Sequence, residues 1–487
     1  MSTEAAPRRT GAAAAVEANG LNVIAESERH GTPRSLFWPW FAANISVLAI
    51  PYGAYVLFFG VSFWQAVVVG VIGVVGSFLL CGLVSLAGKR GSAPTMVLSR
   101  AAFGVEGNRL PAFVSWMLLV GWEIVLVVLA TQAGSAALQR LGWGDGGTGV
   151  KLLIILVVVG ISVFAGVFGY QAIMKVQTWI TLATAVLTIA YMLLSLDHID
   201  FSRVTTLESG SLASTLGAGV MLLTALGLGW TNAAADYSRY LPRSASSAGV
   251  VGWTTFGASV APLVLFVFGL LLAGSEQATM DGLAADPFGT LAGLLPTWFM
   301  IPFVVVVVLG LIGGIVLDIY SSGLSLLSMG LRVPRAVAAG IDGVLMTVGA
   351  VLVTFFATDF LGPFQGFLIT GGVPLAAWLG VFLGDMALRR RDYADADLYD
   401  PRGRYGAVRW GAIGLMLLGT VVGWGLVTNT NASWLRWQGY LLGPFGGKEG
   451  TWAGAGLGVL VALLVGLVGT LLLSRGAVRE QESGARA

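Results

Sequence analysis

Runs of roughly twenty apolar residues recur about twelve times along the chain, at 36–60, 63–88, 110–138, 150–170, 174–196, 213–235, 249–273, 298–328, 336–357, 361–384, 408–428 and 452–474. No other feature constrains the fold as strongly, because a helix needs about 20 mostly apolar residues to cross a bilayer core. Run 249–273 is typical: it carries no charge and has a polar loop on either side. Stretches such as Leu152 to Val159 would suit a buried strand elsewhere. In lipid, an open sheet edge leaves backbone groups unpaired, so the helical reading prevails. Only 11% of the 487 residues are charged, against about 25% in soluble domains. A net charge of +2 is not the field of a nucleic-acid binder. One cysteine, Cys81, excludes an intramolecular disulfide framework and a multi-cysteine metal site. His30 and His198, the two histidines, leave little for a histidine-rich metal centre or triad. The expected fold is an all-α polytopic membrane protein with about 12 transmembrane helices.

Twelve spans put both chain ends on one side, and the basic residues say which. With the N-terminus in the cytoplasm, 22 of the 27 Lys and Arg residues fall inside; Arg140, Lys151, Arg203, Arg436 and Lys448 fall outside. This split follows the positive-inside rule, so the expected location is the cell membrane with both termini cytoplasmic. Residues 1–35 read as a disordered tail with no cleavable signal peptide. Residues 385–407 read as a cytoplasmic loop whose charge run is a solvated face. Residues 408–474 supply two additional helices, and 475–487 a polar tail. No P-loop motif occurs, which argues against an ATP-driven pump. No cofactor, metal, nucleic acid or obligate protein partner is expected, only the bilayer and a small molecule.

Transporters built from inverted repeats unwind two helices at matching places, and the freed backbone forms the binding site. Span 1 holds Asn44 and Ser46 inside an apolar run, followed by Pro51 and Gly53. Proline removes a backbone donor and clashes with the preceding turn. Span 6 holds Gly227 and Gly229, followed by Trp230 and Asn232. Spans 1 and 6 are five apart, as a five-plus-five arrangement over 36–196 and 213–384 requires. Ordinary kinks and packing faces explain either motif alone; the matched pair favours a broken-helix site.

An ionisable group costs roughly 2.5–3.5 kcal/mol at a helix centre, so it is functional by default. Glu123 lies midway along span 3, and Asp318 well inside span 8. Both are candidates for binding substrate or carrying a proton, with an interhelical hydrogen bond as the alternative. Asp236, Asp342, Asp359 and Asp385 lie near span ends and read as solvated or ion-paired. Trp38, Trp40, Trp64, Trp298, Trp434, Trp437 and Trp452 also lie near span ends, where tryptophan is enriched at membrane interfaces. Trp122 and Trp230 differ, because each adjoins polar groups. A planar heteroaromatic ligand could stack between them at about 1–3 kcal/mol per ring, by analogy with base–aromatic contacts.

Four stretches resemble the purine–cytosine permease branch of the nucleobase:cation symporter-1 family: WFAANISVL (40–48), GSAPTMVLSRAAFGVEGNRLPAFVSWMLLVGWEIV (91–125), GLGWTNAAADYSRYLP (227–242) and LDIYSSGLSL (317–326). The third is the most specific, and the resemblance covers roughly 30–430. It implies a five-plus-five inverted-repeat core with two extra helices, alternating access, and uptake of a nucleobase-like heterocycle with a cation. It makes Trp122 and Trp230 the rings that sandwich the substrate, and places Asp318 and Ser46 at substrate-lining positions. Two departures stand out. Relatives often carry Gln or Asn one turn after the span 3 tryptophan, where this chain has Leu126, and Glu123 is unusual beside that tryptophan. Polar recognition therefore shifts to Glu123, Asp318 and the broken-helix backbone. Sodium-coupled relatives place hydroxyls early in span 8, where this chain reads Ile312-Gly313. The coupling ion is H+ or Na+, with H+ favoured and Glu123 or Asp318 as its carrier.

The resulting expectation is a secondary transporter importing cytosine, a purine or a similar nitrogen heterocycle by cation symport. Its substrate site would use Trp122, Trp230, Asp318, Glu123, Ser46, Asn44, Asn232 and Gly229. The same machinery could carry allantoin, uracil or a vitamin precursor. From a different class, a channel or a membrane substrate sensor is the alternative, but no pore signature occurs. An enzyme is disfavoured because no nucleophile–base pair or metal cluster falls within the spans.

Overall fold

The computed structural model describes residues 20–167, 170–331, 333–357, 360–429 and 433–484. Arg8, Arg9 and Asp359 lie outside the described residues. All secondary structure among the described residues is helical. Span 1 is Phe37–Asn44 plus Pro51–Leu57. Spans 2 to 5 are Phe63–Gly91, Arg109–Arg140, Thr148–Val167 and Tyr170–Leu194. Span 6 is Leu212–Leu223 continued to Ala234–Ser238. Spans 7 to 10 are Ser247–Ser275, Met300–Ser328, Arg335–Phe356 and Leu361–Leu388. Spans 11 and 12 are Trp410–Gly425 and Leu457–Leu473. Each of the twelve apolar runs thus corresponds to a helix or a broken helix.

The packing repeats itself with an offset of five. Span 2 packs on span 7, span 3 on span 8, and span 4 on span 9. Span 1 packs on span 7 as span 6 packs on span 2, and span 5 on span 8 as span 10 packs on span 3. These reciprocal pairs are the inverted-repeat core; spans 11 and 12 pack against span 10 outside it. Spans 1 and 7 approach backbone to backbone, where a Cβ on Gly53 would run into the backbone of Gly269 and one on Gly269 into the carbonyl of Ile50. Small residues allow such contact, which matters in lipid because helix association there depends on close packing.

Four regions differ from the sequence-based reading. Residues 20–35 are not a loose tail: Ile24 is buried, its N–H donates to Ser92 O at 2.8 Å, His30 N–H donates to Tyr240 O at 2.8 Å, and Arg239 donates to Gly20 O at 2.9 Å. In the 386–407 loop Arg390, Arg391, Asp392, Asp400 and Arg402 are exposed, as a solvated face requires, but Tyr393, Leu398 and Tyr405 beneath them are buried, and Arg90–Asp392, Arg243–Asp395 and Arg404–Asp397 pair around it. The segment after span 12 forms a helix, Arg475–Ser483, bent 59° from span 12. Its Gln481 accepts a hydrogen bond from Arg389 at 2.5 Å. Burial alone would pull the Arg389 guanidinium down, but Asp385, 2.6 Å away, holds it above its usual value. Trp40, read as an interfacial residue, is 1% exposed; its ring meets Trp230 edge-on at 6.0 Å.

Candidate substrate site

Span 1 breaks after Asn44. Ile45 (φ −79°, ψ 85°) and Ser46 (φ −140°, ψ 136°) leave the helical region, and the two halves meet at 68°. Asn44 Nδ2 donates back to Trp40 O at 2.9 Å, and Ser46 Oγ accepts from Leu48 N at 3.3 Å. The Ser46 side chain thus caps a backbone N–H that the break frees, while Asn44 turns back onto the last turn of the first half. Pro51 does not cause the break. It opens the second half, at the position where a missing N–H is tolerated.

Span 6 breaks differently. A wide turn over Thr224–Leu228 places Leu226 at φ −113°, ψ −110°, and a short 3-10 turn at Thr231–Ala233 follows. Ser77 and Cys81 of span 2 clamp the turn: Gly227 N–H donates to Ser77 Oγ at 3.1 Å, and Cys81 Sγ donates to Gly227 O at 2.9 Å. A Cβ on Gly227 would overlap the Ser77 backbone, so glycine is needed here for the approach of two helices.

The breaks face each other across a shared cleft. Asn44, Ser46, Trp122, Gly229, Trp230 and Asp318 lie on its wall. Glu123 and Asn232 are not on that wall. Asn232 lies behind it, donating to Ser115 Oγ at 2.9 Å, while Ser115 Oγ meets Ser325 Oγ at 2.9 Å; this ties spans 3, 6 and 8 together. Tyr52, Leu226, Pro262, Gly310 and Gly314 line the cleft without having been singled out in the sequence. Their residue types are unremarkable in a membrane helix, so only packing reveals them. Leu126 is also on the wall, where it presents a methyl surface in place of an amide.

The cleft is mostly aromatic and aliphatic. Trp122 is held edge-on by Phe364 at 5.7 Å and Phe367 at 5.9 Å, and Trp230 by Trp40. Both indoles remain half-buried, with ring surface facing the open space. Asp318 is 3% exposed and accepts no hydrogen bond among the described residues. Glu123, the next residue after Trp122, is fully buried, and neither of its oxygens has a hydrogen-bond partner. Asp342 and Asp318 both act on it electrostatically. Asp342 is neither solvated nor ion-paired: it is buried, accepting from Trp116 Nε1 at 3.0 Å and Ser322 Oγ at 2.6 Å. Asp385 is ion-paired as expected. Among the described residues no group of three or more metal-ligating side chains occurs.

Residues 23–443 match the family model for permeases of cytosine/purines, uracil, thiamine and allantoin. A putative purine-cytosine permease of Bacillus subtilis, YxlA, is 24% identical over 403 residues, 81% of this chain and 84% of that protein. The Saccharomyces cerevisiae purine-cytosine permease FCY21 is 29% identical over 249 residues, 48% of this chain and 44% of that one. Among solved structures, Mhp1, a nucleobase-cation-symport-1 family transporter in a closed conformation with bromovinylhydantoin bound, superposes with a TM-score of 0.68. It is 19% identical, over 96% of this chain and 100% of Mhp1.

Proposed function

The chain belongs to the family of permeases for cytosine/purines, uracil, thiamine and allantoin, and we propose that it imports a planar nitrogen heterocycle by proton symport. The observation that carries this reading is the cleft between the broken helices, where Trp122 and Trp230 both line a space that also holds the unpartnered carboxyl of Asp318. Two aromatic walls fit a flat ring, at about 1–3 kcal/mol per stacked face by analogy with base–aromatic contacts. A carboxylate accepts hydrogen bonds from ring N–H or exocyclic amine groups, and a carboxylic acid can also donate one. Cytosine and the aminopurines carry such donors.

In operation, the ring enters the cleft from outside, a cation joins it, and the two repeats move relative to one another to open the inner side. The broken spans are suited to this, because irregular backbone in a membrane is tolerated where it lines a cavity. Proton is favoured over sodium because Ile312 and Gly313 offer no hydroxyl oxygen early in span 8, while Glu123 and Asp318 offer proton-carrying groups. The Arg-rich loops and both chain ends are assigned to the cytoplasmic side by the positive-inside rule.

A second reading is a vitamin-type heterocycle. It is supported by the wall itself, where Leu126 removes an amide and leaves Asp318 as its ionisable group; a lone carboxylate suits a cationic ring. The family description includes thiamine. Proteoliposome uptake of labelled cytosine, adenine, hypoxanthine, uracil, allantoin and thiamine, under imposed proton or sodium gradients, tests both. Uptake of cytosine or a purine driven by a pH gradient is expected. Failure to bind or carry any of the six would overturn the transport reading.

A further inference from the structure

We propose that Asp342 is a coupling residue, and that Glu123, Ser322 and Asp342 form a route for a proton between the substrate cleft and the Arg-rich end of the helix bundle. This deepens the proton-symport reading above and rests on it.

The buried carboxyls of the bundle have unequal surroundings. Asp236 accepts from Thr95 N at 2.8 Å and Thr95 Oγ1 at 2.9 Å, with Arg239 acting on it. Asp385 is paired with Arg389. These two are explained by structure alone. Glu123 is not: it is fully buried with both oxygens unpartnered. An ionised carboxylate with no donor is costly in such surroundings, so a residue of this kind is retained for something it does. Its surroundings show what that is. The Ser322 hydroxyl acts on Glu123 and donates to Asp342 Oδ2 at 2.6 Å, with Ile319 O a longer alternative acceptor at 3.2 Å. Trp116 Nε1 holds the other Asp342 oxygen at 3.0 Å. Glu123, a hydroxyl and a second carboxyl are thus consecutive.

The order also runs along the membrane normal. Spans 3 and 9 start at the Arg-rich end. Glu123 is fourteen residues beyond Arg109, about 21 Å deep at 1.5 Å per residue. Asp342 is seven residues beyond Arg335, about 10 Å deep. Ser322 is one turn from Asp318 toward that same end. The carboxyls therefore step from the cleft to within two helical turns of the basic loops.

The groups facing this route are few. Asp318 of span 8 and Asp342 of span 9 act on Glu123. Stretch 152–167 of span 4, 361–384 of span 10 and 178–194 of span 5 hold no charged residue. Span 5 also carries Lys175, whose side chain is outside the described ones. On the span 6 side, Asp236 is held by Thr95, with Arg239 acting on it. In the transfer step, the Glu123 carboxyl, unpartnered at rest, turns onto the Ser322 hydroxyl, and its proton moves to Ser322 Oγ as the Ser322 proton moves to Asp342 Oδ2. One O–H bond breaks and one forms at each oxygen pair, and the negative charge passes from Asp342 to Glu123.

The test is proton flux in proteoliposomes carrying a lumenal pH dye, with cytosine as the probe, comparing wild type with Asp342→Asn and Ser322→Ala. Cytosine-dependent lumenal acidification should fall by roughly a hundredfold in both variants while cytosine counterflow exchange continues. Acidification at the wild-type rate in both overturns the route. Sodium-dependent, proton-independent uptake by the wild type also overturns it. Infrared titration of the substrate-free protein in nanodiscs separates this from the substrate reading. The carboxylic C=O band lost in Glu123→Gln should shift in Asp342→Asn, whatever the substrate is, and an unshifted band overturns the route. Absence of counterflow with every heterocycle tried, beside a shifted band, sinks the substrate reading and leaves the route standing.

Discussion

The Trp122 indole nitrogen lies 2.9 Å from where a Cβ on Gly229 would sit. A side chain on this glycine of broken span 6 would press on the span 3 ring, so the glycine makes room for the indole to lie against this turn. The cleft's aromatic wall is set by backbone as much as by the ring.

Gly229→Ala should consequently displace Trp122 without unfolding the bundle. Overpacking costs about 1–3 kcal/mol, taken here from substrate binding. Affinity for a planar heterocycle, read by equilibrium binding in detergent, should drop by roughly tenfold or more. Trp230→Ala should remove one stacked face and give a loss of similar size. Unchanged affinity in both variants would dissociate these residues from the substrate.

The Gly53–Gly269 crossing makes a sharper packing prediction. Gly269→Ala should lower the thermal unfolding midpoint of the purified protein by several degrees, since about 1–3 kcal/mol of overpacking falls on a backbone-to-backbone contact. Gly252→Ala on the same helix meets nothing within 4 Å and should not lower the midpoint, since alanine favours a helix interior over glycine. Equal melting of the two variants would mean that the crossing tolerates separation.

Pro51→Ala should leave transport intact. The break occurs at Ile45 and Ser46, and Pro51 only starts the following half-helix. The change should alter stability by no more than about 1 kcal/mol. A variant that loses uptake while still folding would move the origin of the break to the proline.

Asp385→Asn should be strongly destabilising, by about 3–5 kcal/mol, because it leaves the Arg389 guanidinium buried beside Tyr393 and Tyr405 without its counter-charge. Thermal melting of the single variant against a double Asp385→Leu, Arg389→Leu variant checks this. The double variant should recover much of the loss, since replacing a buried pair by apolar groups is often neutral.

A good part of the architecture was legible because lipid leaves few choices. Long apolar runs must become helices, and their number and the basic loops between them are one-dimensional quantities. The matched positions of Asn44–Ser46 and Gly227–Gly229, five spans apart, pointed to broken helices for the same reason. Trp40 was misjudged because a tryptophan near a span end looks alike in sequence whether it faces lipid or Trp230. In the 386–407 loop the exposed charges are legible in the sequence, but the burial of Tyr393, Leu398 and Tyr405 beneath them is not, because charge density says nothing about the tyrosines between the charges.

Sequence alone determined that the chain crosses a membrane about twelve times and that Glu123 and Asp318 are out of place there. Tertiary structure alone decided that Asp318 opens onto the cleft, that Glu123 and Asn232 lie behind its wall, and that Asp342 accepts from Ser322 while Glu123 is left without a partner. The physical reason is that these groups belong to different spans. Glu123, Ser322 and Asp342 are separated by about two hundred residues of chain in one step, and only the offset packing of spans 3, 8 and 9 brings them within reach.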